Sequence, residues 1–188
     1  MEPKHLEHDW FSRPLPPNVQ LGERSWLYSS FAFSHCNCQS KPGLHVGNNT
    51  GLYHGTFFDL GPEAEITVGN YCSLVGVIFA TNGRVAIDDY TLIAHEVVIA
   101  DNSWYIPGAH RAVGQGMPVQ SQPKNSVEIG RNVWIGAQSI VVGNIRIGEG
   151  AIIGAGTLVT QYVPPYTLCA GNPMRLIRSL AKGEKPLP

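Results

Sequence analysis

The 188-residue sequence is poor in charge. Only 14% of its residues are charged, and 14 acidic against 13 basic residues leave a net charge of −1. A balance so close to zero gives no reason to expect a nucleic acid or an anionic membrane surface as partner. No stretch approaches the ~20 apolar residues of a membrane span, and the opening MEPKHLEHDW lacks the apolar core of a signal peptide. The four cysteines are therefore read as reduced thiols of a cytoplasmic protein.

What the sequence does contain is a period of six residues. Between residues 129 and 163 the first position of each unit is aliphatic and the fifth is small or β-branched. The first positions are Ile129, Ile135, Val141, Ile147, Ile153 and Val159, and the fifth positions are Val133, Ser139, Ile145, Ala151, Thr157 and Val163. This period suits a short flat strand followed by a corner, and three such sides close a triangular coil of about 18 residues. Coils of this kind stack at roughly 4.8 Å to form parallel sheets, with the first and fifth positions inside.

Interruptions of the period divide the chain into parts. Residues 1–18 are polar and rich in proline, which predicts an N-terminal arm, and the solenoid is expected over 19–173. One long excursion loop is expected at 105–126, and loops of that length in compact domains are usually functional or disordered. At the end, 174–188, the segment MRLIRSLAK predicts a short C-terminal helix followed by a tail. Leu176, Ile177 and Leu180 would form the packed face of that helix.

Two groups of residues could be taken for metal ligands. His5, His8 and Asp9 lie on the polar terminus, and Cys36 and Cys38 lie in a break of the repeat at 32–44. Four zinc ligands at usual spacings are missing from the break, so we interpret it as an insertion loop and the terminus as a flexible segment. We expect no metal. Cys72, at a fifth position of the repeat, is expected to be packed inside rather than reactive.

The run NVWIGAQSIVVGNIRIGEGAIIGAGTLVTQYVPPYTLCAGNPMRLIR resembles the C-terminal half of the hexapeptide-repeat acyltransferases. Within that family it is most similar to the galactoside, maltose and xenobiotic O-acetyltransferase group, because NVWIG, IGAGTLVT, VPPYTLCAGNP and a final RxxR follow in that order. The resemblance implies an all-β fold, a left-handed parallel β-helix of hexapeptide repeats, assembled as a homotrimer with acetyl-CoA as acyl donor. The left-handedness is implied by the family alone.

Acyl transfer to a hydroxyl needs a base, and a neutral histidine suits that task near pH 7. His110 is the only histidine in the long loop, and its spacing of 24 residues to Trp134 is that of the catalytic histidine in the galactoside acetyltransferase pattern. His95 is the alternative base. The acidic residue that often follows the family's histidine is missing here, and Asp101 is the only nearby carboxylate. The sequence therefore leaves open the alternative that the protein is catalytically weakened.

The resemblance also implies a binding site for the donor. Ala137, Ala155, Thr160 and Gln161 match the run that binds pantetheine, although Gln161 stands where the family usually has lysine. Arg175 and Arg178 match the basic pair near the nucleotide phosphates, where a guanidinium can chelate two oxygens.

The acceptor is less well defined. Trp104 and Tyr105 offer faces on which a sugar ring can stack, and Asp101 could bind hydroxyls. The sequence thus predicts an O-acetyltransferase acting on a saccharide or related small acceptor. Two alternatives remain: a non-catalytic β-helix assembly protein, and a metal-dependent enzyme resembling the gamma-class carbonic anhydrases. The second needs histidine ligands from adjacent coils, and residues 129–163 contain none.

Overall fold

The computed structural model describes residues 5–100 and 126–182, which wind into a triangular solenoid of short strands. A 3-10 helix at Ser30–Phe33 follows the first two strands. In chain order the strands are β1 (Val19–Leu21), β2 (Trp26–Leu27), β3 (Leu44–Val46), β4 (Gly51–Tyr53), β5 (Phe57–Leu60), β6 (Glu65–Val68), β7 (Ser73–Val75), β8 (Ile78–Thr81), β9 (Arg84–Ile87), β10 (Leu92–Ile93), β11 (Val98–Ala100), β12 (Ser126–Ile129), β13 (Trp134–Ile135), β14 (Ile140–Val142), β15 (Ile145–Ile147), β16 (Ile152–Ile153), β17 (Leu158–Val159), β18 (Thr167–Ala170) and β19 (Arg175–Ser179).

Three sheets form the sides of the solenoid, and their strands pair in parallel except for β18 and β19. Sheet A has the order β1-β3-β6-β9-β12-β15, sheet B runs β2-β4-β7-β10-β13-β16-β18-β19, and sheet C runs β5-β8-β11-β14-β17. Equivalent hexad positions pair from coil to coil, as in Leu92 with Trp134 and Trp134 with Ile152. Because each strand pairs with one a coil away, the strand–corner interpretation of the six-residue period is confirmed.

The core is a column of side chains inside the triangle. All six first positions and all six fifth positions between residues 129 and 163 are buried, none more than 4% exposed. In the earlier coils Phe33, Phe58 and Phe79 stack in sequence, with ring centroids 5.0 Å apart at each step. The prediction of which hexad positions point inward is therefore confirmed.

Hydroxyl groups accept hydrogen bonds from backbone amides at the corner between sheets A and B. The Thr50 amide donates to Ser25 Oγ at 3.0 Å, the Cys72 amide to Thr50 Oγ1 at 3.1 Å, and the Val133 amide to Thr91 Oγ1 at 3.3 Å. Cys72 is 3% exposed, and burial raises the pKa of its thiol to about 11. It is a packed structural thiol, as expected, because the thiolate that reacts is disfavoured there.

The predicted C-terminal helix is wrong. Arg175–Ser179 is the strand β19, antiparallel to β18, with Ala170 paired to Arg175 and Thr167 to Ser179. Leu176 and Ile177, expected on a packed helical face, are 57% and 55% exposed. The physical reason is the edge of sheet B: β18 is its last parallel strand, and doubling back satisfies backbone groups that a helix would leave unpaired.

The N-terminal arm packs on the first coils of its own chain. Leu15 is 5% exposed, and the His8 ring stacks on Trp26 with centroids 3.9 Å apart. The Asp9 carboxylate accepts hydrogen bonds from Ser29 Oγ at 2.7 Å and from the Ser30 amide at 3.0 Å. Asp9 is thus engaged with serines rather than with His5 or His8.

The predicted excursion loop falls almost entirely outside the described residues. Its last residue, Ser126, already belongs to β12, so the solenoid resumes one residue earlier than predicted. No helix in the part of the chain that the structure describes is long and apolar enough to cross a membrane.

Candidate active site

The corner between sheets B and C carries two of the predicted donor residues. We call it the B–C edge; it comprises residues 54–56, 76–77, 94–97, 136–139 and 154–157, one segment from each of five successive coils. Ala137 and Ala155 occupy this edge on adjacent coils, and the Gly156 amide donates to the Ala137 carbonyl at 2.8 Å. An ideal Cβ at Gly156 would meet nothing within 4 Å. A row of small residues with open space beside it lets a thin ligand approach the backbone closely.

The alternative base lies in the same row. The Gln138 amide donates to the His95 carbonyl at 2.9 Å, so His95 sits one coil before Ala137, with an exposed side chain. The next residue, Glu96, accepts a hydrogen bond from Gln138 Nε2 at 2.9 Å. The structure therefore brings His95 and both alanines onto one edge.

Glu96 and Gln138 were missed by the sequence reasoning. Both adopt φ of +59°, a backbone conformation that other coils give to Gly76 and Gly156 at the equivalent corner. Asn49, Tyr71, Tyr90 and Asn132 adopt the same left-handed conformation at the corner between sheets A and B, so it belongs to the solenoid corner and not to this site alone. The sequence offered one signal for these two residues. At the corner position where other coils have Gly76 and Gly156, their coils have a polar residue instead.

The two arginines are separated along the last strand pair. Arg175 pairs with Ala170, whose Cβ lies 3.0 Å from an ideal Cβ on Gly154, so Arg175 stands at the C-terminal end of the B–C edge. Arg178 pairs with Leu168, further along sheet B, and its Nη1 donates to the Ser179 carbonyl at 3.3 Å. Only Arg175 adjoins the alanine row.

Thr160 and Gln161 lie elsewhere. They follow β17 at the corner between sheets C and A, and both are exposed. Ala100, the last described residue before the excursion, pairs with Val142 on the same side of sheet C. Thr160 and Gln161 thus lie on the same side of the solenoid as Ala100, two coils further along, and the structure does not bring them together with Ala137 and Ala155 in one chain.

The remaining predicted site residues belong to the segment between β11 and β12. His110, the favoured base, and the acceptor residues Asp101, Trp104 and Tyr105 lie outside the described residues. Within residues 5–100 and 126–182, no group of three or more histidine, cysteine or acidic side chains is arranged to hold a metal ion.

The B–C edge lies between two apolar surfaces. Sheet B exposes Leu92 (50%) and Trp134 (39%), and sheet C exposes Ile78 (36%) and Ile140 (42%). The outward residues of sheet A are instead mostly polar: Gln20, His45, Thr67, Glu128 and Arg146. Adjoining apolar surfaces of this kind mark places where another molecule packs.

Comparison with known proteins finds similar transferases. A family model described as bacterial transferase hexapeptide (six repeats) matches residues 126–161. The chain is 31% identical over 147 residues to a galactoside O-acetyltransferase of Escherichia coli strain K12, which covers 74% of this chain and 66% of that protein. It is 30% identical over 159 residues to a chloramphenicol acetyltransferase of Klebsiella aerogenes, covering 77% of this chain and 71% of the relative.

A solved structure of a galactoside acetyltransferase in complex with coenzyme A is also similar. It superposes with a TM-score of 0.55 at 25% identity, covering 87% of this chain and 66% of that one. This chain therefore spans about two thirds of the length of the galactoside acetyltransferases that it matches.

Proposed function

The chain belongs to the hexapeptide-repeat acetyltransferase family, and from this premise we propose that it transfers acetyl from acetyl-CoA to a hydroxyl of a saccharide or related small acceptor. Its solenoid is the left-handed parallel β-helix of that family, as predicted. The coenzyme A bound to the similar galactoside acetyltransferase supports the choice of donor.

The observation that carries the proposal is the row of small residues on the B–C edge. Ala137 and Ala155 leave the backbone accessible, and open space lies beside Gly156. A pantetheine arm is thin and carries amide groups, so it fits the strip of exposed backbone at Ala137, Ala155 and Gly156, next to the Gln138–Glu96 pair. Arg175, at the C-terminal end of the row, would meet the phosphates of the donor, and a guanidinium suits them because it donates two parallel hydrogen bonds. Thr160, Gln161 and Arg178 would have to act from another surface.

The reaction requires a base beside the thioester. The base takes the proton of the acceptor hydroxyl, the oxygen attacks the thioester carbonyl, and the resulting oxyanion collapses to the acetyl ester while the CoA thiolate leaves and is protonated. We assign this role to His110 on its spacing to Trp134, with His95 as the competing assignment. The position of His95 in the alanine row supports this competing assignment.

We further propose that the protein is a homotrimer. The outer faces of sheets B and C are apolar while sheet A is polar, so two of the three sides have surface to bury. Covering both sides with neighbouring copies would place the B–C edge between subunits. Residues on other surfaces, such as Thr160 and Gln161, could then join the edge of a neighbour.

The deciding experiment is a thiol-release assay with acetyl-CoA and a panel of saccharides, run on the unmodified protein and on three single variants. His110→Ala should lower turnover roughly 10²–10⁴-fold, the usual size of a general-base effect. His95→Ala tests the competing assignment. His45→Ala is the matched control, since His45 is exposed on sheet A, away from the edge.

Each outcome has a distinct meaning. Loss of activity only in the His95 variant would move the base onto the coil. Normal turnover in all three variants would refute base catalysis by either histidine. Absence of thiol release with every acceptor, in a protein that binds acetyl-CoA, would refute the proposed acetyl transfer to this acceptor class.

A further inference from the structure

The open strip of backbone on the B–C edge ends at one pair of polar side chains. Each coil has a left-handed residue at this corner, and in three coils it is a glycine: Gly55, Gly76 or Gly156. The two coils between Gly76 and Gly156 have Glu96 and Gln138 there, both at φ +59°. We infer that these two residues, the Gln138–Glu96 pair, limit the length of the acyl group on the donor and select acetyl over longer chains. The inference rests on the proposed function and concerns the donor end of the same site.

The two side chains form a bridge between adjacent coils. Gln138 Nε2 donates a hydrogen bond to Glu96 Oε2 at 2.9 Å, although the two residues are 42 positions apart in the sequence. Both residues are exposed, so their side chains stand out from the edge. A hydrogen bond to a carboxylate is charge-assisted, which makes it stronger than one between neutral groups. A ligand that follows the edge therefore meets two side chains held together here, and no longer meets open backbone.

The bridge stands where the thioester of the donor would lie. In the proposed orientation the phosphates meet Arg175, and the pantetheine arm passes the open space beside Gly156 on its way towards His95. Three strand spacings, about 14 Å, separate β19, which carries Arg175, from β13, whose corner carries Gln138. An extended pantetheine arm spans about 15 Å at the rise of an extended chain. The acyl group, which continues beyond the sulfur, therefore enters the part of the edge that the bridge occupies.

The chemistry of the bridge favours a short acyl group. Acetyl adds only a methyl group beyond the thioester carbonyl. Each further methylene of a longer chain would lie against the Glu96 carboxylate and the Gln138 amide, which would lose water without gaining a hydrogen bond. One methylene accommodated or excluded by a binding site changes specificity by roughly 10- to 200-fold. Butyryl, with two methylenes more than acetyl, should therefore be a clearly poorer donor group.

Replacing the pair by glycine tests the inference, because glycine is what other coils have at this corner. Gly76 and Gly156 adopt φ of +61° and +67° there, so the double variant Glu96→Gly, Gln138→Gly should keep the backbone of the coil. Calorimetry would compare the Kd of acetyl-CoA with that of butyryl-CoA. We expect the unmodified protein to bind acetyl-CoA at least about tenfold more tightly than butyryl-CoA. In the double variant this ratio should fall below about threefold.

Two further variants show whether the effect belongs to the bridge. Asn132→Gly makes the same kind of change at the corner between sheets A and B, where Asn132 has φ +54°, and should leave the ratio unchanged. Glu96→Gln removes the charge but keeps a polar side chain of similar size, so most of the ratio should remain. Repulsion between the Glu96 carboxylate and the donor phosphates acts on both donors alike and cancels in the ratio.

The outcomes separate this inference from the proposed function. Equal affinities of the unmodified protein for the two donors would overturn the inference and leave the proposed acetyl transfer standing. A ratio that survives in the double glycine variant, or that falls as far in Asn132→Gly, would overturn it in the same way. Failure of the unmodified protein to bind either donor would instead refute the proposed function, and the inference with it.

Discussion

Replacing Gly136 by alanine should destabilise the coil at the proposed donor edge. An ideal Cβ at Gly136 would lie 2.5 Å from the Ala155 nitrogen and 2.9 Å from the Ala155 Cα, whereas ordinary contacts begin at 3.4 Å. The obstructing atoms are backbone, so no side chain can rotate away. The two coils would have to separate locally by about 0.9 Å, the difference between 2.5 and 3.4 Å.

The magnitude follows from what that separation breaks. The Gly136 amide donates to the Ile153 carbonyl and the Gly156 amide to the Ala137 carbonyl, each at 2.8 Å. Stretching both bonds by about 0.9 Å takes them out of the range of a good hydrogen bond, which costs about 1 kcal/mol for each bond. Overpacking of the coil costs about 1–3 kcal/mol more. Alanine restricts the unfolded chain and recovers about 0.4–1 kcal/mol. The net loss of unfolding free energy is about 2–4 kcal/mol, or a fall in Tm of about 5–15 °C at this chain length.

Differential scanning calorimetry at one fixed protein concentration measures this, because the unfolding of an oligomer depends on concentration. Gly154→Ala is the matched control: it occupies the same hexad position one coil later, but its nearest neighbour is the Ala170 side chain at 3.0 Å. That contact can relax by a few tenths of an ångström, so we expect a Tm change under about 3 °C. If Gly136→Ala melts at or above the unmodified protein, Gly136 does not stack on Ala155. The proximity of Ala137 and Ala155 in the donor row would then be wrong as well.

Three further predictions concern the donor, the assembly and the arm. Replacing both Arg175 and Arg178 by alanine should weaken CoA binding, measured by calorimetry, by ~1.5–3 kcal/mol for each lost contact. Of the two single variants, Arg175→Ala should weaken it more. Unchanged affinity in the double variant would remove both arginines from the binding site. Light scattering at micromolar concentration should give about three times the 20.4 kDa chain mass, and a monomeric mass would contradict the trimer. Burial raises the pKa of Asp9, but hydrogen bonds from Ser30 and Ser29 outweigh it and lower the pKa from 3.8 to about 2. The contribution of Asp9 to the attachment of the arm should therefore be complete above pH 3.8 and lost as the pH falls through about 2. The NMR signal of the Trp10 indole should show this transition in the unmodified protein and not in Asp9→Asn. The same transition in both proteins would exclude Asp9 as its cause.

The solenoid could be predicted from sequence because the same constraint is repeated many times. A stacked coil requires an inward residue at the first and fifth position of every hexad, so errors at single units do not change the outcome. The C-terminal end lacked that redundancy. In MRLIRSLAK the spacing of Leu176, Ile177 and Leu180 suits a helical face, and no local signal reports that β18 leaves an edge to be paired. Pairing with a neighbouring strand overrode the helical pattern.

The candidate site was only partly predictable for a related reason. Ala137 and Ala155 occupy the same place in successive coils, so the repeat puts them together, and the structure agrees. Thr160 is only five residues from Ala155 but lies beyond the next strand, at a different corner.

The stacking of coils also explains how residues 101–125 can separate β11 from β12 at little cost to the described fold. Residues 101–125 are inserted between β11 and β12, yet β12 still pairs with β9 from Ser126 with Arg84 to Ile129 with Ile87. In the same way β14 pairs with β11, Val98 with Ile140. Each strand is held by the coils above and below it rather than by the residues next in sequence. A longer connection between two strands therefore adds little to the free-energy cost of folding, since closure entropy grows only with the logarithm of length. The repeat consequently constrains the residues of the core, whose positions can be predicted from the hexads. That is why a sequence can specify Ile129 as buried yet leave the assignment of His110 to an activity assay.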